Sequence, residues 1–301
     1  MRNNIYVILY PQNIVFMKSV LVTGAKGQLG VALHNISESF SGFEFYFTDV
    51  DTLDICNKTD VEAFVKSHNI DAIVNCAAYT AVDKAEDDID LCMRINCDAV
   101  RNLGEAAASV GAKVIHVSTD YVFDGCGTRP YREDDATNPA SAYGTAKLAG
   151  EQALLAACPD SVIIRTAWLY SETGNNFVKT MLRLGAERDT LGVVADQKGT
   201  PTYAADLADA IKSILTAEQF APGIYHYTNE GVCTWYDFAV KIFELAGIKC
   251  TVNPLTTAEY PTRAKRPMYS VLDKSKIKST YGINIPEWES SLVSLVMKNG
   301  K

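Results

Sequence analysis

The sequence lacks the cysteine spacing of a structural metal site. Its eight cysteines are scattered along the chain, with no Cys-x-x-Cys pair and no histidine partner at ligand spacing. Structural zinc is held by closely spaced pairs of such ligands, so we expect no metal site. A reduced, cytoplasmic setting is the simplest interpretation of this cysteine usage.

Long hydrophobic runs are missing from the N-terminal segment, residues 1–16. Its apolar run, residues 5–10, ends at Pro11 and is too short to span a membrane. The segment also lacks the small-residue cleavage site of a signal peptide. Because the strand-like segment KSVLVTG follows Met17 at once, we predict that translation starts at Met17 and that residues 1–16 are a start-site artefact or a disordered leader.

Positive charge is scarce relative to negative charge. The chain has 28 lysines and arginines against 36 aspartates and glutamates, a formal net charge of -8. This balance argues against a main function in coating nucleic acid or an anionic membrane, so any anion site must be local. With 301 residues, 48% of them hydrophobic, the chain can form a large buried core plus a smaller second lobe.

Apolar segments that alternate with helical patterns predict the fold. The predicted strands cover residues 19–23, 43–48, 72–75, 113–118 and 161–165. Strands that are apolar on both faces and separated by crossovers are typical of a parallel sheet covered by helices on both sides. We predict an α/β fold with a doubly wound, Rossmann-type dinucleotide-binding domain over residues 17–166.

Turn-forming residues become frequent after residue 167, in YSETGNN, DQKGTPT and NPLTTAEYPTRAKRP. Loop-rich segments of this kind often close over a ligand. We predict a smaller, mainly substrate-binding lobe over residues 167–301, and we expect part of residues 195–230 to return to the first domain.

The segment TGAKGQLG follows the first predicted strand and precedes a helical pattern, with glycines at Gly24, Gly27 and Gly30. Such glycines permit a tight turn and close approach of the backbone to a pyrophosphate; a plain turn is the alternative. Asp49, at the end of the second predicted strand, is placed to hydrogen-bond an adenosine ribose. It could equally be a solvated turn aspartate, since Asp51 and Asp54 lie nearby.

Tyr143 and Lys147 lie four residues apart in YGTAKLAGEQALLAA, on one face of a predicted helix. A nearby ammonium favours ionisation of a phenol, so the pair could act as an acid or a base. A surface pair is the usual reading of this spacing alone. The order of motifs, from glycine turn to acidic strand end to STDYVF to this pair, favours the catalytic interpretation.

Taken together, the motifs resemble the extended short-chain dehydrogenase/reductases and, among them, the dTDP-4-dehydrorhamnose reductase family. The matching segments run in order over almost the whole chain from Met17. They are TGAKGQLG, NCAAYTAVDKAE, STDYVFDG, YGTAKLAGE, RTAWLY, NNFVKTMLRL, DQKGTPTYAADLA and RPMYSVLD. An ordered set of this length is far more specific than any one motif.

The resemblance implies reduction of the C4 carbonyl of dTDP-4-dehydro-6-deoxy-L-mannose to give dTDP-L-rhamnose, with NADPH or NADH as cofactor. It implies a catalytic set of Thr119, Tyr143 and Lys147, in which Tyr143 protonates the carbonyl oxygen. Related dehydratases carry an acidic pair after the threonine. Here Asp120 is followed by Tyr121, so one proton relay remains, which suits simple reduction.

The resemblance also implies the binding residues. On the cofactor side, it places Gly27, Gln28 and Leu29 at the pyrophosphate and Asp49 at the adenosine ribose. It places Asp54 and Ile55 at the adenine, although their segment LDICN could instead be an ordinary turn. Ala78, Tyr79 and Thr80 are placed at the nicotinamide, with Tyr143 and Lys147 also contacting the cofactor. On the sugar side, it places Thr119, Asp120, Tyr121, Val82, Trp168 and Arg266.

Two of the sugar-side assignments have open alternatives. Trp168 offers a flat apolar face, but it could instead be a core tryptophan. Arg266 belongs to a basic cluster with Arg263 and Lys265 that could meet the nucleotide diphosphate. For Arg263 and Lys265 a solvated loop is an equal alternative, whereas Arg266 matches the Arg-Pro of the family.

Cofactor preference and oligomeric state stay open. An acidic Asp49 disfavours a 2′-phosphate, so NADH is expected alongside NADPH. Some relatives dimerise around a magnesium ion held by glutamates, but Ala32 stands at one of those positions, so we expect a monomer or a homodimer without such a bridge. The rival functions are another nucleotide-sugar 4-ketoreductase and a non-catalytic, NADP-binding regulatory subunit similar to the methionine adenosyltransferase β subunit.

Overall fold

A computed structural model describes residues 17–299 of the chain, so the predicted leader, residues 1–16, lies outside the described residues. The strands in chain order are β1 (Lys18–Thr23), β2 (Phe43–Thr48), β3 (Ala72–Asn75), β4 (Lys113–Thr119), β5 (Ser161–Thr166), β6 (Leu169–Tyr170), β7 (Thr190–Val194), β8 (Lys198–Gly199), β9 (Thr202–Tyr203), β10 (Gly223–His226), β11 (Cys233–Thr234) and β12 (Thr251–Leu255).

Helices connect and cover these strands. They are α1 (Gln28–Ile36), α2 (Lys58–Ser67), α3 (Ile89–Met93), α4 (Ala99–Val110), α5 (Ala142–Ala157), α6 (Phe177–Glu187), α7 (Ala204–Leu215), α8 (Trp235–Ala246), α9 (Ser275–Tyr281) and α10 (Trp288–Asn299). A π-helical turn, Arg94–Asp98, links α3 directly to α4. No helix within residues 17–299 combines the length and the apolar character that crossing a bilayer would require.

The first five strands form a parallel sheet with β10. Its strand order is β10-β5-β4-β3-β1-β2, and every neighbouring pair is parallel. The prediction of a doubly wound parallel sheet is confirmed, with strand ends within one residue of the predicted bounds. β10 was not predicted as a strand, because its four residues carry little periodic signal.

Two apolar cores explain why these strands are buried on both faces. One core contains Val20, Val22 and Val74 with residues of α1 and α7, and the other contains Leu21, Ile73 and Val114 with residues of α2 and α4. Alternate residues of each strand therefore serve opposite helix layers. Parallel strands all end at the same edge of the sheet, which is where ligands bind in folds of this kind.

A third apolar core lies in the C-terminal part. It joins α6, α8 and α10 to the short pairs β7–β12 and β6–β9, and includes Tyr170, Phe238 and Leu292. One segment predicted as loop is partly strand, since residues 253–255 end β12, which pairs in parallel with β7. The predicted division at residue 166 stays a prediction.

Candidate active site

The glycine turn follows β1 and opens α1. Gly24 has a φ of +66°, and a Cβ there would lie 2.6 Å from the backbone nitrogen of Ala77, so a larger residue would clash as well as strain the turn. Gly27, which caps α1, has no side chain to occupy the N–H groups of the first helical turn. An N terminus of this form can bind an anion. The predicted residues in that turn are Gln28, Leu29 and Gly30.

The Gln28 side chain has a role that its motif did not reveal. Its Oε1 accepts hydrogen bonds from Ser171 Oγ at 3.1 Å and from Asn176 Nδ2 at 2.9 Å. Its Nε2 donates to the Leu169 carbonyl at 3.4 Å. Gln28 therefore ties the segment after β6 to the glycine turn, which leaves its backbone N–H as the group available to a pyrophosphate.

Asp49 lies beside the glycine turn, as predicted from its place after β2. Its Oδ2 accepts from the backbone N–H of Lys26 at 2.9 Å, and its Oδ1 accepts from Val50 N–H at 2.9 Å. The Lys26 ammonium contacts Asp51 at 2.6 Å. Asp49 therefore organises its own turn, as a turn aspartate would, and its contact with a ribose stays a prediction.

A cleft of about 560 Å³ runs along this edge. Its lining includes the predicted residues Gly24, Gly27, Asp49, Asp54, Ile55 and Ala78. The glycine turn, the helix N terminus and the apolar wall together fit a dinucleotide. In the sheet, β1 and β3 separate the end of β2 from the end of β4, a distance of roughly 14 Å at three strand spacings, which suits an extended cofactor.

Asn96, in the π-helical turn, holds the loop that carries Tyr79 and Thr80. Asn96 Oδ1 accepts from Tyr79 N–H at 2.9 Å, and Asn96 Nδ2 donates to the Tyr79 carbonyl at 3.0 Å. Thr80 follows as an exposed residue. The sequence interpretation missed Asn96, because a polar residue inside a helical pattern gives no signal of a loop packed against it.

Thr119 ends β4 and begins the cluster STDYVF. Its hydroxyl accepts from Tyr121 N–H at 3.2 Å and donates to Asp120 Oδ1 at 2.9 Å. Asp120 is 3% exposed, and its Oδ2 is among the buried oxygens that have no hydrogen-bond partner within residues 17–299. Burial raises the pKa of Asp120 to about 6, against the lowering effect of the Thr119 hydrogen bond.

Tyr143 lies in the first turn of α5, against this cluster. Ser141 caps the helix by accepting from Gly144 N–H at 3.1 Å. A Cβ on Gly144 would lie 2.2 Å from the Tyr121 carbonyl oxygen, so glycine allows α5 to approach the end of β4 closely. The rings of Tyr121 and Tyr143 meet edge to face at 5.5 Å. The local sequence Ser-Ala-Tyr-Gly therefore places the phenol beside Thr119.

Burial shifts the two ionisable groups of α5 in opposite directions. It raises the pKa of Tyr143, with the Thr119 hydroxyl acting to lower it, so the phenol holds its proton at neutral pH. It lowers the pKa of Lys147 to about 8, although the Glu151 carboxylate acts to raise it. Lys147 Nζ donates to the Val117 carbonyl at 2.7 Å and is 1% exposed. The pair is therefore buried, and the alternative of a surface pair does not apply.

Three of the other predicted sugar-side residues lie in or beside the side-chain cluster around Tyr143. Val82 and Tyr121 belong to the apolar cluster around it. Arg266 reaches the same place from the far end of the chain: its Nη1 donates to Tyr121 Oη at 3.1 Å, and its Nη2 pairs with Asp83 Oδ2 at 2.6 Å. Arg263 instead pairs with Asp87 on an exposed surface. The sequence did not predict this role of Asp83, because its partner Arg266 is 183 residues away.

Trp168 lies at the border of the C-terminal core, and its contact with the sugar stays a prediction. Its indole stacks on Trp235 at 3.6 Å and packs against the C-terminal core, yet the residue is only half-buried. Its φ of +50° is unusual for a residue with a bulky side chain. Such backbone conformations are held by their surroundings and often occur at ligand sites.

Among residues 17–299, His, Cys, Asp and Glu side chains form no group of three or more that could hold an ion. Ala32, at the position where some relatives carry a bridging glutamate, contributes its methyl group to the core beside α7.

Known proteins resemble this chain along its length. The family model of the RmlD substrate-binding domain matches residues 17–300. A dTDP-4-dehydrorhamnose reductase of Aggregatibacter actinomycetemcomitans is 44% identical in an alignment of 289 residues that covers 93% of this chain and 98% of that protein. The chain belongs to the dTDP-4-dehydrorhamnose reductase family. This confirms the family predicted from the motifs.

Solved structures of family members have the same fold. A dTDP-4-dehydrorhamnose reductase from Clostridium acetobutylicum superposes with a TM-score of 0.91 at 46% identity, covering 94% of this chain and 100% of its own. The Bacillus anthracis enzyme, solved in complex with NADP, gives a TM-score of 0.89 at 40% identity, covering 94% of this chain and 99% of its own.

Proposed function

We propose that this chain reduces dTDP-4-dehydro-6-deoxy-L-mannose to dTDP-L-rhamnose with NADPH or NADH, the last step of dTDP-rhamnose biosynthesis. The observation that carries the proposal is the buried Tyr143 beside Thr119, at the same sheet edge as the glycine turn. Family membership over nearly the whole chain supports the same reaction. A relative in complex with NADP supports the cofactor.

The nicotinamide supplies the hydride, and the residues of the chain manage the carbonyl oxygen. Tyr143 keeps its proton in the resting site and gives it to the oxygen as negative charge develops there. The Thr119 hydroxyl, at the end of β4, would turn its single proton from Asp120 Oδ1 to the same oxygen. Lys147 lies one helical turn after Tyr143, where its charge stabilises the phenolate that proton transfer leaves.

The proposed cofactor residues follow the edge of the sheet. The backbone around Gly24, Gly27 and Gly30 would bind the pyrophosphate together with the amides of Gln28 and Leu29. Asp49 would hold the adenosine ribose. The adenine would lie at Asp54 and Ile55, and the nicotinamide at Ala78, Tyr79 and Thr80, with Lys147 at its ribose.

The proposed sugar site lies across from the nicotinamide. Asp120 offers a buried carboxyl with an unpartnered oxygen, which could bind a sugar hydroxyl. Val82, Tyr121 and Trp168 offer apolar walls, and Arg266 supplies charge for the diphosphate. Because Tyr121 stands where dehydratases carry an acid, one proton relay is present, as reduction requires.

Several wider assignments belong to the proposal. Residues 17–166 would form the dinucleotide-binding domain, and residues 167–301 mainly the sugar lobe. Part of residues 195–230 would return to the first domain, since β10 joins the main sheet and α7 packs in the core beside α1. We infer a cytoplasmic enzyme, monomeric or homodimeric, with neither a nucleic-acid nor a membrane partner. The burial of Ala32 supports an arrangement without a magnesium bridge.

The proposal is tested by turnover of purified protein. With dTDP-4-dehydro-6-deoxy-L-mannose, NADPH or NADH should be oxidised, whereas the D-configured precursor should react poorly because its C4 carbonyl would lie out of reach of Tyr143. Efficient reduction of the precursor or of a GDP-linked keto sugar would assign the chain to another ketoreductase function. Absence of turnover, with a synthetase partner captured from native cells, would favour a regulatory subunit.

A further inference from the structure

A row of buried polar side chains crosses the sheet behind Lys147. Thr23 on β1, Asn75 on β3 and His116 on β4 are paired in register, Thr23 with Asn75 and Asn75 with His116. Each is at most 1% exposed. They follow Leu21, Ile73 and Val114 by two residues, so they lie on the face that α4 and α5 cover. Polar groups in such a place are costly unless they are hydrogen-bonded to one another.

The hydrogen bonds of the row define the tautomer of His116. Asn75 Oδ1 accepts from Thr23 Oγ1 at 2.7 Å and from the backbone N–H of Ala77 at 3.1 Å. Because a backbone N–H can only donate, the amide orientation is fixed, and Asn75 Nδ2 donates to His116 Nδ1 at 3.0 Å. Burial also lowers the pKa of His116 well below its usual value, so the ring is neutral. A neutral ring that accepts at Nδ1 carries its proton on Nε2.

That Nε2 proton points to Lys147. Lys147 Nζ lies 3.3 Å from His116 Nε2 and donates to the Val117 carbonyl at 2.7 Å. An ammonium has only donor protons, so it cannot accept from the ring N–H, whereas a neutral amine can accept there and still donate to Val117. The contact is therefore favourable for one protonation state of Lys147 and unfavourable for the other.

The row cannot serve as a proton path to water. Beyond His116 the row continues to the Asn75 amide, the Thr23 hydroxyl and the Ala77 backbone N–H. A side-chain amide does not relay protons at neutral pH. Asn75 and Thr23 are each 1% exposed. At the end away from Lys147 the row therefore stops in the protein interior. At the other end it contacts Lys147, so Lys147 is the ionisable group that the row can influence.

We propose that His116 is a positioning residue for Lys147: Asn75 holds its ring in the tautomer that directs a single N–H at Lys147 Nζ, which disfavours the ammonium form. The inference builds on the proposed reductase function. With a pKa of about 8, Lys147 still carries the charge that stabilises the Tyr143 phenolate at neutral pH, and it gives up that proton more readily than an ordinary lysine would. The other ionisable groups facing Lys147 are Glu151 and Tyr143 on its own helix and Cys92 on α3, and Glu151 is paired with Arg165 of β5 at 2.7 Å.

Two substitutions of His116 distinguish the hydrogen bond made by Nε2 from the one made by Nδ1. His116→Gln can keep an amide N–H near the Nε2 position, so it retains the donor to Lys147 and loses the acceptor for Asn75. His116→Asn can keep an acceptor near Nδ1 and loses the donor to Lys147. Each removes one hydrogen bond of the same row, so a general disturbance of the fold would affect both alike.

The ionisation of Lys147 is measured directly by NMR of the full chain labelled with 13C and 15N lysine, the signal being assigned by its loss in Lys147→Met. We expect the wild type and His116→Gln to titrate at similar pH, and His116→Asn to titrate about one pKa unit higher, the size expected for one hydrogen bond to an ionisable group. The basic limb of the kcat–pH profile should move in the same direction in His116→Asn.

Equal titration of Lys147 in the two variants, or a shift confined to His116→Gln, would overturn the inference. Asn75→Leu gives a second test that leaves His116 in place and adds no charge: without the Asn75 Nδ2 donor the ring is no longer held in that tautomer, and the pKa of Lys147 should rise. Thr23→Val is the control, since Ala77 N–H still fixes the Asn75 amide. The NMR result does not depend on turnover, so a wild type that fails to reduce the keto sugar would refute the proposed reaction alone.

Discussion

The two ends of the candidate site are built in different ways. The nucleotide end consists of neighbours in sequence: β1, the glycine turn and α1 are continuous, and Asp49 contacts Lys26 only 23 residues away. The sugar end brings together distant segments, since Arg266 contacts Tyr121 across 145 residues and Asp83 across 183. Local elements can be exchanged as a unit between enzymes, whereas a surface assembled from distant loops can vary in shape while the fold stays the same.

Tyr143→Phe tests the point where the two ends meet. The substitution keeps the ring and its packing against Tyr121 but removes the proton. We expect kcat to fall by roughly 100-fold or more, because a positioned general acid contributes that much. The Kd for NADPH, measured by fluorescence titration, should stay unchanged. Near-normal turnover would remove Tyr143 from the mechanism, and a lost cofactor affinity would mean that the two ends are not separable.

Gly24→Ala should damage the nucleotide end through the backbone. The new Cβ would meet Ala77 N at 2.6 Å, and we expect a loss of about 2–3 kcal/mol in the free energy of unfolding together with weaker NADPH binding. Gly42→Ala is the matched control: its φ is +79°, but no atom lies within 4 Å of the new Cβ. Urea titrations of both variants compare the clash with backbone strain alone. Equal losses would mean that the close approach at Gly24 contributes nothing.

Asp120→Asn tests the sugar end through pH. The folded-state pKa of Asp120 is raised to about 6, so the stability that its proton contributes is present below roughly pH 4 and is lost as the pH rises through about 6. Relative to wild type, Asp120→Asn should therefore gain up to about 3 kcal/mol in free energy of unfolding between pH 4 and pH 7.

Asp135 provides the control of opposite sign. The Arg129 guanidinium lowers the pKa of Asp135 to about 2, so its contribution is present above the unfolded value and is lost on acidification. Asp135→Asn should thus lose stability relative to wild type at neutral pH and not at low pH. Urea titrations from pH 3 to 7 give the free energy of unfolding of each variant relative to wild type. If this difference changed with pH in the same direction for both variants, the assigned ionisation of Asp120 would be contradicted.

Arg266→Met should weaken sugar binding without changing cofactor binding. Loss of one charge-assisted contact to a diphosphate predicts a rise in KM for the dTDP-sugar of about 10-fold. Arg263→Met is the matched control, since Arg263 forms an exposed ion pair with Asp87 and such pairs contribute little. A similar KM for both variants in steady-state kinetics would argue against the placement of the diphosphate at Arg266.

The same contrast explains what the sequence could predict. The strand bounds and the glycine turn could be predicted, because apolar runs and residues that permit a positive φ determine the local backbone conformation. Helical spacing placed Tyr143 and Lys147 on one face of a helix, and the order of the motifs along the chain then favoured a catalytic pair over a surface pair. Asn75 and His116 were not, although Asn75 ends an apolar run, because their pairing depends on the register of β3 with β4. Asp83 and Asn96 likewise gained their roles only from segments distant in sequence, for which a single sequence carries no distance information.

The most direct test of the central assignment follows the transferred hydrogen. Purified protein is supplied with dTDP-4-dehydro-6-deoxy-L-mannose and a reduced cofactor that carries deuterium at the transferring C4 position, and the product is examined by NMR. The account predicts dTDP-L-rhamnose with one deuterium at sugar C4, and a lack of that product with Tyr143→Phe over the same time. Deuterium at another carbon, a product epimeric at C4, or equal product from Tyr143→Phe would contradict it.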